Sequence, residues 1–364
     1  MSLSFSLFFF SSDSEEKERG KYAALLELAE EADKRGFEAV WTPERHFHRF
    51  GGLFPNPSVV GAAIAARTRR IGIRAGSISL PFHHPLRVAE DWSIVDNLSG
   101  GRAGMSFTYG WHPKEYVFAP HLYALKRDEN REAMYERLAL LQRLWRGEPV
   151  AFPTSEGDQM IEQFYPAPIQ RELPAWITTA RSRDSWRRAG EIGANVLTAL
   201  YSIDKADLKE HIAVYREARR LNGYPPDGRV TVMLHTFLGD DPTEVRDKVR
   251  EPMLRYLSQQ TELFDAAHIA REFRIDPSRI TDKHRRMIAS AAFERYWNDS
   301  ALFGTADSCM PMAAELQLMG VDEIACLIDF GVSERDMADS LTRIDQLRLH
   351  YADSYVKEGS GIDG

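Results

Sequence analysis

The sequence predicts an α/β protein: a (β/α)8 TIM barrel with loop insertions and a helical insertion between the seventh and eighth strands. Strand-like and helix-like patterns alternate along nearly the whole chain, the signature of parallel βαβ construction. Eight strand segments can be counted, which is the number a barrel needs. At 364 residues the chain is longer than the ~250 typical of such barrels, and the excess falls in irregular segments.

The elements follow in order. Leu3 to Phe10 reads as the first strand, and Tyr22, Leu25, Leu26, Ala29 and Ala32 form the apolar stripe of a helix that Gly36 ends. Ala39-Val40-Trp41 is a short second strand, Pro57 opens a helix through Ala66, and Ile71 to Leu80 is the third strand. A helical run from Pro85 stops at Ser99-Gly100-Gly101, where glycine accepts the left-handed backbone that ends a helix. In the fourth strand Ala103, Met105 and Phe107 alternate with Gly104, Ser106 and Thr108, so one face is bulky and the other nearly bare. Small side chains on an inward face leave a space, and Tyr109-Gly110-Trp111 reads as its rim.

Residues 112 to 126 show no period and read as a long loop over the strand ends. Met134, Leu138, Leu141 and Trp145 restore a helical face. Gly147 to Leu173 carries four prolines and is expected to cover surface. A fifth strand at Pro174 to Thr179, a helix after Ser182, a sixth strand at Asn195 to Leu200, a helix from Asp204 and a seventh strand at Val230 to Leu238 follow. Asp240-Asp241-Pro242 opens the next helix, acidic residues first and proline in the first turn. Residues 252 to 303 fit no strand and read as the helical insertion. Glu323 to Phe330 is the eighth strand, and Met337, Leu341, Ile344 and Leu347 mark the closing helix. Residues 1–356 are expected to form one domain, and the polar, glycine-rich end, 357–364, a flexible tail.

The composition, 43% hydrophobic and 27% charged, is that of a globular enzyme. A net charge of -8 argues against a nucleic-acid surface, which needs a concentrated basic field. No run approaches the ~18 apolar residues of a membrane span. The first residues, LSFSLFFF, lack a basic flank and break too early into SSDSEEKE for a signal peptide. Cys309 and Cys326 are the two cysteines, and Cys326 sits in the apolar run IACLI, so a reducing cytoplasm is the expected compartment.

In a barrel, chemistry belongs at the C-terminal ends of the strands. There, Glu44-Arg45-His46-Phe47-His48 packs a carboxylate, a guanidinium and two imidazoles. The cluster suits acid-base work, the alternative being a polar loop tied by its own hydrogen bonds. His46 and His48, with His83 and His84 near by strand order, also have the elements of a metal site, but no further ligand is placed and no metal is expected. Thr178 to Ser185 ends a strand and starts a helix whose free N–H groups and dipole favour an anion. Ser182, Ser185 and an arginine can hold phosphate oxygens, or Ser182 or Asp184 can simply cap the helix.

GFEAVWTPERHF (36–47) and NPSVVGAAIAARTRRIGIRAGSISLPFHHPLRVAEDWSIVDNLSGGRAG (56–104), and more weakly GTADSCMPMAAELQLMGVDEIACLI (304–328), resemble the bacterial luciferase-like, flavin-dependent monooxygenases. The likeness covers most of the chain outside 252 to 303 and is strongest to the subgroup associated with polyketide and nonribosomal-peptide biosynthesis. It implies that the FMN phosphate meets Tyr109, Ala180, Arg181, Ser182 and Ser185, that Ser77 and Thr108 line the isoalloxazine pocket, and that Glu44, Arg45 and His46 are catalytic. Luciferases carry a histidine pair after the second-strand glutamate. Here the first of the pair is Arg45. Where Tyr109 stands they carry an arginine, so phosphate charge is expected from Arg181 or Arg183.

The resemblance implies a two-component monooxygenase. Reduced FMN from a separate flavin reductase would be used with oxygen for hydroxylation or Baeyer-Villiger insertion on a small-molecule or carrier-protein-bound acyl substrate. Trp111, Phe82, Phe54 and Phe10 are the candidates for an apolar wall, and a homodimer is the common assembly of such barrels. A deazaflavin-dependent hydride transfer and a non-catalytic flavin-binding protein are the alternatives.

Overall fold

The computed structural model describes residues 3–11, 20–110, 112–124, 127–262 and 282–359. Its strands are β1 (Ser4–Phe8), β2 (Ala39–Thr42), β3 (Gly72–Ser79), β4 (Ala103–Thr108), β5 (Val150–Pro153), β6 (Gln159–Glu162), β7 (Ala175–Thr178), β8 (Asn195–Ala199), β9 (Val230–Leu238), β10 (Ala301–Gly304) and β11 (Glu323–Leu327). Eight of these, β1 to β4, β7 to β9 and β11, pair in parallel around a closed circuit, with β11 returning to β1. The helices are α1 (Lys21–Arg35), α2 (Pro57–Arg67), α3 (Pro85–Ser99), α4 (Arg127–Trp145), α5 (Arg183–Glu191), α6 (Lys205–Leu221), α7 (Pro242–Glu262), α8 (Asp282–Arg295), α9 (Ala306–Leu318) and α10 (Glu334–Gly359). The expected barrel is therefore the fold. Among the described residues no helix is long and apolar enough to cross a membrane.

Local chemistry sets the element ends. Asn56 accepts the N–H groups of Ser58 and Val59 at the start of α2, with Pro57 in the first turn. Gly100 ends α3 at φ 73°, its N–H returning to the last turn.

Three details differ from expectation. Ala301–Gly304, inside the segment expected to hold only helix, is a strand, paired with the second half of β9 on the edge opposite β11. It is buried on both faces, so its short apolar run shows no alternation. The remainder of that insertion is helical where described, through α7 and α8, and 263–281 lie outside the described residues. Residues 147 to 173 contain the β5–β6 antiparallel hairpin, whose period the prolines conceal. At the C-terminus α10 reaches Gly359, so the expected tail is helical at 357–359, and 360–364 lie outside the described residues.

Period-two alternation divides the apolar side chains into two layers. Phe5, Leu7, Ile73, Met105, Phe107, Ile177, Val196 and Ile324 face outward against the helices. Phe8, Trp41, Trp176, Leu197, Met233 and Ala325 fill the interior. The lower interior also holds charge. Arg74 lies between the Trp41 and Trp176 rings, 5.1 and 4.7 Å from their centroids. Its Nη1 donates to Glu323 Oε2 at 2.7 Å, Arg229 reaches the same oxygen at 3.0 Å, and Ser6 and Trp41 donate to Oε1 at 2.6 and 2.9 Å. Burial by itself would raise the Glu323 carboxyl, but the two guanidiniums and these hydrogen bonds outweigh it and hold the group at about 2.

Removing one partner of such a buried pair costs about 3–5 kcal/mol, and Glu323→Gln is expected to lower stability by an amount in that range in urea titration. Because the folded carboxyl titrates far below the unfolded one, its stabilisation is complete above the ordinary glutamate pKa of about 4.3. It fades as pH falls toward 2, so the gap between wild type and variant should narrow over that interval. A difference below about 1 kcal/mol at pH 7, the value of an exposed pair, would show the network to be dispensable.

Candidate active site

Above this charged floor the inward side chains become small. Gly76 and Ser77 of β3, Thr108 of β4, Thr178 of β7, and Thr198 and Ala199 of β8 line a cavity of about 830 Å³ at the C-terminal mouth, within the usual size of a ligand pocket. A Cβ at position 76 would stand 2.9 Å from the Phe8 ring and 3.0 Å from Trp41, so glycine is required by close packing there. Ser106 and Ser77 share hydrogen bonds with the Thr178 hydroxyl, the first at 2.6 Å, which ties β3, β4 and β7 across the cavity wall.

Glu44 and Arg45 leave β2 and turn into this space. Glu44 is buried. Its Oε1 accepts from His46 Nε2 at 2.8 Å and from His83 Nε2 at 2.6 Å, and its Oε2 accepts the Ser79 N–H at 3.1 Å. One carboxylate thus joins the loops after β2 and β3. Burial pushes the Glu44 carboxyl up, but the two histidines outweigh it and bring the group to about 2. For His83 burial acts downward, and the bond to Glu44 with its negative charge reverses this to a net rise. His46 does not line the cavity. It lies behind Glu44, with its ring edge-on to Phe118 at 4.7 Å. His48 Nδ1 accepts the Phe50 N–H at 3.0 Å and serves its own turn. Arg45 lines the cavity, its Nη1 3.4 Å from Glu115 Oε1, and both are buried. Burial lowers the Arg45 pKa and raises that of Glu115.

At the other side of the mouth Thr108, Tyr109, Ala180, Arg181, Ser182 and Ser185 line the same cavity as Ser77. Ser182 caps α5, accepting from the Ser185 N–H at 3.3 Å and the Ser185 hydroxyl at 3.1 Å. Arg181 Nε donates to the Ser202 carbonyl at 3.1 Å. Arg183, one of the two arginines expected to supply charge, pairs outward with Glu210 at 3.2 Å and is absent from the wall. Arg131 of α4 is there instead. Its Nη2 lies 3.4 Å from Asp184 and 3.2 Å from Asp128, and its buried Nε has no hydrogen-bond partner. Nothing in the pattern marks Arg131 out, since the first turns of α4, RDENRE, mix basic and acidic residues as any solvated helix face does.

Of the expected apolar wall, Phe10 lines the cavity, joined by Phe8 and Phe50. Phe54 belongs to the layer outside the barrel, and Phe82 packs with Ala119 and Leu122, so neither faces the space. Trp111 lies outside the described residues. Tyr201 and Tyr256 complete the wall on the β8–β9 side. Behind them, His235 of β9 is buried with no hydrogen-bond partner on either ring nitrogen, and burial takes its pKa down to about 3. Among the described residues no group of three or more His, Cys, Asp or Glu is arranged to hold a metal ion.

Residues 1–323 match the family model described as luciferase-like monooxygenase. The chain is 23% identical over 344 residues to the oxygenase component of the flavin-dependent trigonelline monooxygenase of Acinetobacter baylyi, covering 92% of this chain and 91% of that protein. It is 27% identical over 301 residues to 4-hydroxyprotoasukamycin monooxygenase of Streptomyces nodosus subsp. asukaensis, covering 80% and 76%. The crystal structure of the monooxygenase RslO1 of Streptomyces bottropensis superposes with a TM-score of 0.76 at 23% identity, over 96% of this chain and all of that one.

Removing the Glu44 charge leaves only the Asp91 charge to oppose burial at His83, so Glu44→Gln is expected to lower the His83 pKa. Histidine ring-proton NMR titration reads this directly. An unchanged His83 midpoint would contradict the coupling.

Proposed function

The chain belongs to the luciferase-like monooxygenase family, and on that premise we propose that it is the oxygenase component of a two-component system. It would take reduced FMN from a separate flavin reductase and oxygenate an organic substrate by hydroxylation or Baeyer-Villiger insertion. The observation that carries this reading is the convergence, on one cavity, of an anion-binding edge, a wall of small hydroxyl side chains and the buried Glu44–Arg45 pair. The donor set suits FMN. Arg131 and Arg181 with the Ser182 and Ser185 N-terminal turn of α5 would hold its phosphate, beside Tyr109 and Ala180. Ser77 and Thr108 would border its ring. Asp184, turned toward Arg187 and Arg131, does not line the cavity, and Asp128, which does, is paired with Arg131 at 3.2 Å.

Bound in this place, reduced FMN supplies the oxygen chemistry, and the protein supplies position, charge and dryness. Phe8, Phe10 and Phe50 exclude water from one wall. Arg45, held by Glu115, offers a fixed cation to negative charge developing on the substrate oxygen. Glu44 holds the loop that carries Arg45 and accepts from His46 and His83. These imidazoles therefore keep the carboxylate charged and fixed at the cavity wall, and steady Arg45 through it. His46 acts in this way as a residue behind Glu44, at one remove from the cavity.

The substrate in this reading is a natural-product intermediate, acyl in character and either free or carrier-bound. It is supported by the resemblance in 36–47 and 56–104 and by the name of the Streptomyces nodosus relative. The reductase partner is supported by the words "oxygenase component" in the name of the Acinetobacter protein. A homodimer and a cytoplasmic location belong to the same reading.

Loss of a charge-assisted hydrogen bond is worth about 1.5–3 kcal/mol, so Arg131→Ala is expected to weaken FMN binding by about 10- to 100-fold in equilibrium titration. Arg45→Ala should leave FMN affinity within about twofold and reduce product formed per oxygen consumed. Equal FMN affinity in wild type and Arg131→Ala would remove the phosphate assignment. Tighter binding of reduced deazaflavin than of FMN, with substrate-linked hydride transfer and no oxygen uptake, would replace oxygenation by the hydride-transfer alternative. FMN binding without any turnover would leave a carrier protein.

A further inference from the structure

Among the described residues, His235 is the side chain with two buried polar atoms that lack a hydrogen-bond partner. It follows Met233 on the inward face of β9, two residues closer to the barrel mouth, and is 1% exposed. Its ring meets Tyr256 at 4.8 Å and 80°, Tyr296 at 5.1 Å and 88°, Phe330 at 5.8 Å and 71°, and Tyr201 at 6.3 Å and 60°, each an edge-to-face contact. The imidazole is therefore enclosed by four aromatic rings. A neutral imidazole carries one donor and one acceptor nitrogen, and neither finds a partner here. Buried polar groups in folded proteins are almost always satisfied, so an exception calls for a partner that arrives from outside the chain.

Two of the four rings show from where it arrives. Tyr201 and Tyr256 line the 830 Å³ cavity, as does Met233. The cage thus backs onto the candidate active site on the β8–β9 side, where Arg45 is the cation that acts on Tyr201 and Tyr256. We propose that this cage is the substrate-recognition subsite, taking a neutral ring-bearing molecule and reading one carbonyl or hydroxyl oxygen of it through the imidazole of His235. This rests on the oxygenase reading for the identity of the ligand as the substrate. Aromatic edges and faces suit a flat or compact apolar ring, and the orphan nitrogens suit a single uncharged oxygen. A carboxylate is rejected, because an uncharged imidazole in an apolar cage cannot repay its desolvation and the cation beside Tyr201 and Tyr256, Arg45, is already paired with Glu115. Rotation of the Tyr256 or Tyr201 side chain opens the cage to the cavity. His235 is then a specificity-determining residue, selecting ring substrates with an uncharged oxygen over isosteres without one.

The test uses the full chain without flavin, with acetophenone as the neutral probe and benzoate as its charged counterpart. Acetophenone should bind saturably, benzoate should not, and the ring nitrogen resonances of His235 in 15N-histidine-labelled protein should move with acetophenone occupancy. His235→Phe should weaken acetophenone binding by about tenfold, while His235→Asn, which keeps a donor and an acceptor, should recover part of it. The melting temperature separates this role from a structural one. Exchanging an unsatisfied buried group for an apolar ring of similar shape should leave it unchanged or raise it. Equal acetophenone binding in His235→Phe, no saturable binding to wild type, unmoved His235 resonances, or a lower melting temperature with unchanged binding would each overturn the proposal. FMN titration of the same proteins keeps the two readings apart. Loss of FMN binding with the acetophenone results intact would count against the flavin site alone, and intact FMN binding with failed acetophenone results against the subsite alone.

Discussion

The ion pair between Arg74 and Glu323, held between two tryptophan rings, is the constraint on which the rest of this barrel stands. A parallel eight-stranded barrel encloses an interior that side chains must fill. Here the lower half is filled by indoles and by charges that neutralise one another, and the guanidinium of Arg229 completes the set. With the floor closed, the upper half is free to be lined by glycine, serine and threonine. The cavity is a consequence of that division along the strands: bulk and charge at the first inward positions, and small hydroxyl side chains at the last.

Around the cavity the chemistry is graded. One edge collects cations and the N-terminal turn of α5. The middle is hydroxyl-bearing and narrow. The opposite side is aromatic, with Phe8, Phe10 and Phe50 on one wall and Tyr201 and Tyr256 on another. Glu44 bolts the loop after β2 to the loop after β3, and Arg137 extends the bolt to α4 through the carbonyls of Pro81 and His83, at 2.8 and 2.6 Å. Such a frame holds Arg45 without recourse to flexible surface contacts, which is what the role proposed for it requires.

Much of this was legible in the sequence, because local rules agreed with the global fold. The alternation of strand and helix patterns, the glycine stop after α3, and the bare face of β4 led to the barrel and to an opening at its mouth. Restricting candidates to strand ends brought Glu44, Arg45, Ser77, Thr108, Arg181, Ser182 and Ser185 into view, and these share one cavity. What escaped has common physical causes. Arg131 arrives from a helix face, where charge spacing resembles that of any solvated helix. His235 sits in VTVMLHTFL, a run buried along its whole length, in which a polar residue has no periodicity to mark it. His83 was considered as a metal ligand and is instead bound to Glu44, a pairing set by how two loops meet. Phe54 and Phe82 were expected to wall the site because they follow strands, and the direction of each side chain turned them elsewhere.

The central claim is that the small-residue strand ends and the α5 turn belong to one flavin site. A crystal structure of the protein with FMN tests it most directly. Phosphate oxygens within hydrogen-bond distance of Ser182, Ser185 and Arg131, with the ring system lying against Ser77 and Thr108, is the expected result. FMN bound away from the strand C-termini, or a phosphate held by residues other than the α5 turn and α4, would contradict it.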